Sequence, residues 1–545
     1  MCGIFQILNL VENTEFIQNG FHNGKHRGPD HSVISTNQEL NFIQGFHRLA
    51  INGLNAKSNQ PIDIADIQLI CNGQIYNHKQ LQHNPCTDSD CEAIIHVYLK
   101  HGISGVLNLI DGVFSFILLD KRVKHDVKLF IGRDPFGVRP LFRMIFRNLN
   151  KTLCYGYASE LKMLTPIEKN YVIESIDHFT PGTYEELRFK KGMWVSYTTE
   201  KYFNLVHSNF IQIDEIKVVR TLIKNALIRA VEKRVNNTDR EIACLLSGGL
   251  DSSLIAAIVQ SLSPKPIRTY SIGLSGSEDL KYANRVARHI NSIHTDIIIE
   301  ESEFLNAIPE VIYAIESYDT TTVRASVGNY LVAKYISEFS NAKVIFNGDG
   351  SDEVCGGYLY FHESPDIHTF DEECRRLLAD IHKYDVLRSD RSISHHGLEA
   401  RTPFLDRSFV QLYMGLSNHF KFLGIKNNTN DDKLCEKYLL RSAFTDTNIL
   451  PESVLWRRKE AFSDGVSSPD RSWYTIIQDH VKNIKIPNIE TNHNIPYTKE
   501  QQYYRSIFNT HFGKSYEKIV PYFWMPKFVD ATDSSARTLK LYKNI

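Results

Sequence analysis

The sequence predicts two successive domains. The first, up to residue 203, is an α+β domain of layered strands and helices, and the second is an α/β domain with a doubly wound parallel sheet. Three observations predict this order: short strand-like runs broken by turn signals come first, a long helical pattern begins the second part, and strands and helices then alternate. A chain of 545 residues is long enough for both domains.

The composition is typical of a folded protein without a large charged surface. Hydrophobic residues make up 42%, and 62 Lys and Arg against 63 Asp and Glu leave a net charge of −1. This balance gives no basic footprint for nucleic acid. No apolar run approaches the roughly 18 residues of a membrane span, and the N-terminus lacks the features of a secretory signal. We therefore expect a cytoplasmic protein with reduced thiols that binds neither nucleic acid nor a membrane.

Strand signals dominate the first domain, 1–203. Strand candidates lie at 66–71, 113–119 and 128–132, and an amphipathic helix is expected over 90–101. The turn signals between them are Asn72-Gly73, Asp111-Gly112, Asp134-Pro135 and Pro181-Gly182. Residues 204–213 are polar and are expected to link the two domains.

Strands and helices alternate in the second domain, 214–530. A helical pattern over 214–235 precedes strands at 242–246, 267–272, 294–299 and 343–346, with helices at 252–262 and 280–290 between the first three. This rhythm implies a parallel sheet with helices on both faces. The end of the domain is expected to be mostly helical, and 531–545 to be a loose tail.

A glycine-rich loop with the sequence SGGLDSS occupies 247–253, between a strand and a helix. Backbone N–H groups of such a turn and the helix N-terminus form an anion site, to which Ser247 and Ser252 add hydroxyl donors. A plain strand-to-helix turn with a serine cap is the structural alternative. No Walker A motif and no GxGxxG after a strand are present, which disfavours nicotinamide or flavin chemistry. The loop therefore predicts phosphate binding.

A second loop, NGDGSDE at 347–353, follows the strand candidate 343–346. Open α/β sheets bind ligands where their strands end, so both loops are expected at one edge. Asp352 and Asp251 would suit a Mg²⁺ ion that bridges pyrophosphate oxygens. A solvated acidic turn is the alternative reading of this loop when it is considered alone.

Cys2 is a candidate nucleophile. Removal of Met1 would leave a thiol and a free α-amine on one residue, and that amine can act as the general base for the thiol. A cysteine at the second position is usually incidental. Its companions give it weight: Arg27 to Asp30, Arg48 to Ile51, Asn72-Gly73 and Ser89-Asp90.

Taken together, these motifs resemble the glutamine-dependent asparagine synthetases. The matching segments run along nearly the whole chain and occur in one order: 1–5 (MCGIF), 26–30 (HRGPD), 72–78 (NGQIYNH), 89–92 (SDCE), 132–134 (GRD), 158–160 (ASE), 245–253 (LLSGGLDSS), 321–326 (TTVRAS), 348–358 (GDGSDEVCGGY), 399–406 (EARTPFLD), 458–460 (RKE) and 462–465 (FSDG). The resemblance implies a four-layer αββα N-terminal nucleophile glutaminase domain followed by an ATP-pyrophosphatase-type synthetase domain.

For the first domain, the resemblance implies a glutaminase site. Cys2 would attack the glutamine carboxamide, while Asn72 and the Gly73 N–H would form the oxyanion hole. Arg48 would bind the substrate α-carboxylate and Asp90 its α-ammonium. The implied glutamine-binding residues are Arg48, Leu49, Ala50, Ile51, Asn52, Asn72, Gly73, Gln74 and Asp90.

For the second domain, the resemblance implies adenylation of L-aspartate by ATP, with Mg²⁺ held by Asp251 and Asp352. Arg324 and Lys459 would be positive groups around the acyl phosphate. Asp349 would assist the formation or the capture of the acyl-adenylate. Ammonia would cross between the domains. The implied ATP contacts are Leu246, Ser247, Gly248, Gly249, Asp251, Ser252, Ile272, Asn347 and Gly348. The resemblance also suggests a homodimer.

Three positions depart from the family. Gln74 stands where Glu is usual, which predicts weaker glutamine binding with ammonia use unaffected. Asp349 is one methylene shorter than the usual Glu, which predicts a slower chemical step or an adjusted geometry. Asn347 replaces Ser, and nothing in the sequence explains this change.

Two alternatives remain open at this point. A β-lactam-forming synthetase shares the two-domain fold, but Cys2 and the other glutaminase residues argue against it. A degenerate binding or regulatory homologue would explain Gln74, Asp349 and Asn347. The intact Cys2, Arg48 and Asn72, with the other candidate residues, argue against that reading.

Overall fold

The computed structural model describes residues 1–12, 14–426, 435–468, 470–487 and 489–539. Two six-stranded antiparallel sheets form the first domain, and a five-stranded parallel sheet lies at the centre of the second. None of the described helices is long and apolar enough to cross a bilayer.

Most of the first domain is strand. Its strands are β1 (Gly3–Leu8), β2 (His31–Asn37), β3 (Phe42–Arg48), β4 (Ile62–Ile64), β5 (Ile67–Ile75), β6 (Gly112–Asp120), β7 (Lys128–Arg133), β8 (Phe142–Arg147), β9 (Leu153–Ala158), β10 (Val172–His178), β11 (Thr183–Lys190) and β12 (Met193–Lys201). Its α-helices are α1 (Glu15–His22), α2 (His78–Leu81) and α3 (Ala93–Leu109). One sheet has the order β10-β8-β9-β1-β3-β2, and the other β12-β11-β7-β6-β5-β4.

The two sheets lie face to face between helices. Side chains on a strand alternate between its faces, so Ile4 of β1 and Ile117 of β6 share one buried cluster between the sheets. Phe5 points the other way and packs in the cluster that contains Phe21 of α1. Phe116 likewise joins the cluster that contains α3. This produces the four-layer αββα arrangement and confirms the predicted fold class.

Helices surround the parallel sheet of the second domain. The strands are β13 (Ile242–Leu245), β14 (Arg268–Leu274), β15 (Ile293–Ile299), β16 (Val344–Phe346) and β17 (Glu399–Arg401). The helices are α4 (Ile216–Val235), α5 (Leu250–Leu262), α6 (Glu278–Ile290), α7 (Glu301–Ile315), α8 (Thr320–Phe339), α9 (Ser351–Cys355), α10 (Ile367–Asp380), α11 (Asp385–Ser394), α12 (Arg407–Gly415), α13 (Asn418–Lys426), α14 (Tyr438–Ser442), α15 (Glu452–Leu455), α16 (Phe462–Gly465), α17 (Trp473–Lys482) and α18 (Lys499–Phe512).

Both faces of this sheet are covered. Ala243 packs in the cluster that contains α7 and α8, whereas Cys244 packs with α4, α5 and α6. The strand order is β15-β14-β13-β16-β17, so the direction of winding reverses between β13 and β16. The loops after these two strands therefore meet at the edge where doubly wound sheets bind ligands. Four predicted strands correspond to β13–β16, and the short β17 was not predicted.

The segment 531–539 contacts the second domain. Asp533 forms an ion pair of 2.7 Å with Arg324, and the Ser535 hydroxyl donates to Asp464 at 2.9 Å. These contacts differ from the loose tail expected over 531–545. The sequence did not indicate them, because long-range ion pairs leave no periodic signal in a sequence. Residues 540–545 of that expectation lie outside the described residues.

Candidate active sites

The first candidate site is built around Cys2, which immediately precedes β1. Its backbone N–H donates to Oδ1 of Asn72 on β5 at 3.1 Å, and its Sγ lies 3.8 Å from the carbonyl oxygen of Leu49. Asn72 is only 1% exposed, and its Nδ2 has no hydrogen-bond partner among the described residues. A buried amide donor without a partner beside a thiol is the geometry of an oxyanion site.

Gly73 keeps the strand of Asn72 close to its neighbour β6. A Cβ at this position would lie 2.6 Å from the carbonyl oxygen of Val113 and 2.8 Å from Cβ of Phe114. No side chain fits that space without movement of the backbone. Glycine is therefore required for the strand that carries Asn72 to keep its place.

Arg48 provides the positive charge of this site. Its guanidinium donates to the carbonyl oxygens of Asn52, Gly53 and Asn55 and to the side chain of Asn59. No carboxylate forms an ion pair with it in the part of the chain that the structure describes. Burial lowers the pKa of Arg48. A neutral cradle that holds a charged guanidinium suits a carboxylate ligand.

Asp90 and Gln74 form a polar wall of the same site. Oδ2 of Asp90 accepts from the N–H of Ile75 at 2.7 Å, and burial raises the pKa of the Asp90 carboxyl. Oε1 of Gln74 accepts from Asn52 at 2.9 Å, while its Nε2 donates to Glu399 of β17 at 3.3 Å. The predicted residue Gln74 therefore bridges the two domains.

The segment after Arg48 shapes the remaining side of the site. The N–H of Ala50 donates to Asp30 at 2.8 Å, and the carbonyl of Ala50 accepts from Arg240 of the second domain at 2.7 Å. The carbonyl of Ile51 accepts from the N–H of Asp239 at 3.0 Å. The structure thus brings all the predicted glutamine-binding residues together and holds several of them from the second domain.

Met1 is buried in front of the nucleophile. Its amino group donates to the carbonyl oxygen of Leu398 at 3.3 Å, and burial lowers the pKa of this amine to about 5. Burial also raises the pKa of the Cys2 thiol. While Met1 is attached, the nitrogen of Cys2 is an amide and cannot act as a base.

The second candidate site is a cavity of about 200 Å³ at the carboxyl ends of β13 and β16. The two predicted loops touch there, because a Cβ on Gly348 would lie 2.7 Å from the backbone nitrogen of Ser252. The predicted residues that line the cavity are Leu246, Ser247, Gly249, Asp251, Ser252, Ile272, Asn347, Gly348, Asp349, Asp352 and Lys459.

Gly248 has a different place from its neighbours. It does not belong to the lining, and its φ of +72° lies in the left-handed region. A Cβ there would lie 2.4 Å from the backbone nitrogen of Ala283 on α6. Gly248 therefore allows the loop to turn against α6 and present Ser247 and Gly249 to the cavity.

The two carboxylates predicted to hold a metal share a lysine. Nζ of Lys437 lies 2.6 Å from Asp251 and 2.6 Å from Asp352, and Nζ of Lys459 lies 2.6 Å from the other oxygen of Asp352. These cations offset burial and hold the pKa of Asp352 well below its usual range. A carboxylate pair that holds a positive charge between its members fits Mg²⁺ with phosphate oxygens.

Asp349 is anchored by an arginine at the cavity wall. Its Oδ1 forms an ion pair of 2.8 Å with Arg388, and its Oδ2 is buried without a hydrogen-bond partner among the described residues. Burial raises the pKa of Asp349. The side chain of Asn347 donates to the hydroxyl of Ser389 at 2.7 Å, so both departures from the family contact α11.

Arg324 lies outside the lining of the cavity. Its guanidinium forms ion pairs of 2.6 Å with Glu500 and 2.7 Å with Asp533, and it is 4% exposed. Thr321 and Ala325 of the same helix do line the cavity, and the role expected for Arg324 beside the acyl phosphate stays a prediction. Glu500 of α18 and Asp533 together accept four hydrogen bonds from its Nε, Nη1 and Nη2.

Sequence reasoning missed four residues at these sites. Glu399 lies in the segment 399–406 that resembles the family. The segment could therefore have pointed to Glu399, although no role was predicted for this residue. Nδ2 of Asn237 donates to Oε1 of Gln74 at 2.9 Å. Neither Asn237 nor Lys437 nor Arg388 had a signal in the sequence, since each reaches its site only through packing of distant segments.

Comparisons with known proteins agree with this architecture. The family model described as Glutamine amidotransferase domain matches residues 1–195, and the model described as Asparagine synthase matches 222–368 and 362–525. The fold and sites thus define a glutamine amidotransferase domain joined to a synthetase domain. Asparagine synthetase [glutamine-hydrolyzing] of Gallus gallus is 40% identical over an alignment of 576 positions, gaps included, that covers 100% of this chain and 99% of the relative. That of Homo sapiens is 40% identical over an alignment of 550 positions that covers 95% of this chain and 95% of the relative. The chain belongs to the glutamine-hydrolysing asparagine synthetase family.

Proposed function

We propose that this chain converts L-aspartate, ATP and L-glutamine into L-asparagine, AMP, pyrophosphate and L-glutamate. The observation that carries the proposal is the presence on one chain of the Cys2–Asn72 pair and of a loop-lined cavity with two carboxylates. The β-lactam-forming alternative is not favoured, because the relatives that match over the full length are glutamine-hydrolysing enzymes.

In the glutaminase step, loss of Met1 frees the α-amine of Cys2. This amine takes the thiol proton while Sγ attacks the carboxamide carbon, and it passes the proton to the departing ammonia. Nδ2 of Asn72 and the N–H of Gly73 stabilise the oxyanion, and water then hydrolyses the thioester to glutamate. Arg48 binds the substrate α-carboxylate, and Asp90 binds its α-ammonium.

In the synthetase step, a carboxylate oxygen of aspartate attacks the α-phosphorus of ATP and pyrophosphate leaves. The donors of the 247–252 loop bind phosphate oxygens, and Lys459 neutralises developing charge. Asp251 and Asp352 would hold Mg²⁺, which supplies additional positive charge at the pyrophosphate. Ammonia that has crossed the domain interface then attacks the acyl carbon of β-aspartyl-AMP, and AMP leaves.

The proposal includes the wider setting of the enzyme. The glutaminase domain is assigned to 1–203 and the synthetase domain to 214–530, joined by 204–213. The enzyme acts in the cytoplasm as a homodimer. The family resemblance supports the dimer.

The test uses purified protein with L-aspartate, Mg-ATP and either amide-¹⁵N glutamine or ¹⁵N ammonium. Labelled asparagine with AMP and pyrophosphate is expected from both donors, and Cys2→Ala is expected to abolish only the glutamine reaction. Absence of asparagine from both donors would overturn the proposal. Product from ammonium alone would overturn its glutaminase half.

A further inference from the structure

One side chain of the second domain contacts the polar wall formed by Asp90 and Gln74 in the glutaminase site. Asn237 lies between α4 and β13 and is 3% exposed. Its Nδ2 donates to Oε1 of Gln74 at 2.9 Å and to Oδ2 of Asp90 at 3.2 Å. A single amide of the synthetase domain therefore holds the two residues that form the polar wall.

The acceptor capacity of Gln74 is already filled. Its Oε1 receives hydrogen bonds from both Asn52 and Asn237, each at 2.9 Å, and a carbonyl oxygen has two lone pairs. Its Nε2 is a donor, which repels an ammonium group. Although Gln74 stands at the predicted ammonium site, it has no free acceptor for a ligand.

Asn237 has the acceptor that Gln74 lacks. Its Oδ1 is buried and has no hydrogen-bond partner in the described part of the chain. An acceptor left unsatisfied in a buried site costs stability, so it is ordinarily matched to a donor. The α-ammonium of glutamine carries three donors, and Asp90 alone cannot use all of them.

The position of Asn237 is fixed by the sheet of its own domain. Nη2 of Arg401 on β17 donates to the carbonyl oxygen of Asn237 at 2.8 Å. The carbonyl of Arg401 in turn accepts from the N–H of Asn347 at 3.1 Å, in the loop that lines the ATP cavity. The side chain of Asn237 is therefore held by the same strand end that supports the second site.

We propose that Asn237 completes the glutamine site from the synthetase domain: its Oδ1 accepts from the substrate α-ammonium, and its Nδ2 positions Asp90. This inference rests on the proposed function, because it assigns a residue to the glutamine half of that reaction. It makes glutamine recognition a property of the docked domains and not of the glutaminase domain alone.

The test compares two ligands that differ only at the α-ammonium. Glutamine is the substrate, and glutaramate, which has no α-amino group, is used as a competitive inhibitor. Asn237→Leu keeps the branched shape of the side chain and removes both polar atoms. We expect it to raise KM for glutamine about tenfold or more, with kcat within about threefold and Ki for glutaramate unchanged.

Asn236→Ala, at the exposed neighbouring asparagine, is the matched control and is expected to leave every constant unchanged. Asn237→Ala carries the same expectation as Asn237→Leu and serves if the leucine variant does not fold. An equal rise of KM for glutamine and of Ki for glutaramate would show general damage to the pocket and overturn the inference. If the wild-type enzyme hydrolyses glutamine and the Asn237 variants have the same KM, the inference is also overturned. Failure of the wild-type protein itself to hydrolyse glutamine would instead overturn the proposed function.

Discussion

The backbone N–H of Cys2 donates to Oδ1 of Asn72 over 3.1 Å, and this bond fixes the orientation of the Asn72 amide. Nδ2 is thereby left as a buried donor without a partner among the described residues. The residue that would carry the nucleophile thus also orients the group that would stabilise the oxyanion.

Asn72→Asp removes that donor without a change in size. We expect kcat for glutamine hydrolysis to fall by about 10²–10³-fold, because one oxyanion donor is lost and a negative charge is placed near the developing oxyanion. Ammonia release from glutamine measures the effect. Asparagine synthesis from ammonium in the same preparation is the control, and an equal fall in both reactions would contradict the assignment.

Lys437→Met removes the cation between Asp251 and Asp352. Two buried carboxylates then face each other, so Tm without metal is expected to fall, and added Mg²⁺ is expected to raise Tm more than in wild type. Thermal unfolding with and without Mg²⁺ measures this. Lys459→Met is the comparison, with a smaller effect, because Lys459 is 17% exposed and Lys437 only 1%. Identical Mg²⁺ responses in wild type and Lys437→Met would contradict the metal assignment of the two aspartates.

Asp349→Asn tests the carboxylate that Arg388 anchors at 2.8 Å. Loss of its charge is expected to lower kcat for synthesis from ammonium by about 10²-fold, the scale of a lost acid–base or electrostatic group. ATP binding is expected to persist, since the loop at 247–252, which we propose binds phosphate, is untouched. Asp349→Glu, with one more methylene, should retain most activity. A variant Asp349→Asn with wild-type kcat would remove Asp349 from the mechanism.

The stability of the second domain is expected to depend on Asp279. Burial raises the pKa of this carboxyl from 3.8 to about 6, although it forms an ion pair of 2.9 Å with Arg457. Between pH 4 and 6 the folded state therefore holds a proton that the unfolded state has released. Because of this group, the free energy of unfolding falls as pH rises through that window. The loss amounts to roughly 3 kcal/mol.

The measurement for Asp279 is the difference in Tm between wild type and Asp279→Asn. Since the asparagine does not titrate, wild type should lose stability relative to the variant from pH 4 to pH 6, with a constant difference above pH 7. A constant difference over the whole range would show that the pKa of Asp279 is not raised.

The local elements of this protein were readable in its sequence. Short strand-like runs between turn signals placed β6 and β7, helical periodicity placed α4, and the glycine-rich pattern at 247–253 placed a loop between β13 and α5. Such patterns repeat over a few residues, so backbone geometry alone relates them to structure.

Tertiary structure decided which of these elements meet. Gly348 packs against Ser252, Lys437 forms ion pairs with two aspartates, and Asn237 donates a hydrogen bond to the first domain. In each case the partner lies far away along the chain. The sequence by itself determined the strands, helices and candidate reactive groups, since these follow from local spacing and residue chemistry. The pairing of Arg324 with Asp533 and the contact of Asn237 with Gln74 across the two domains depend on packing between distant segments, which no local pattern records.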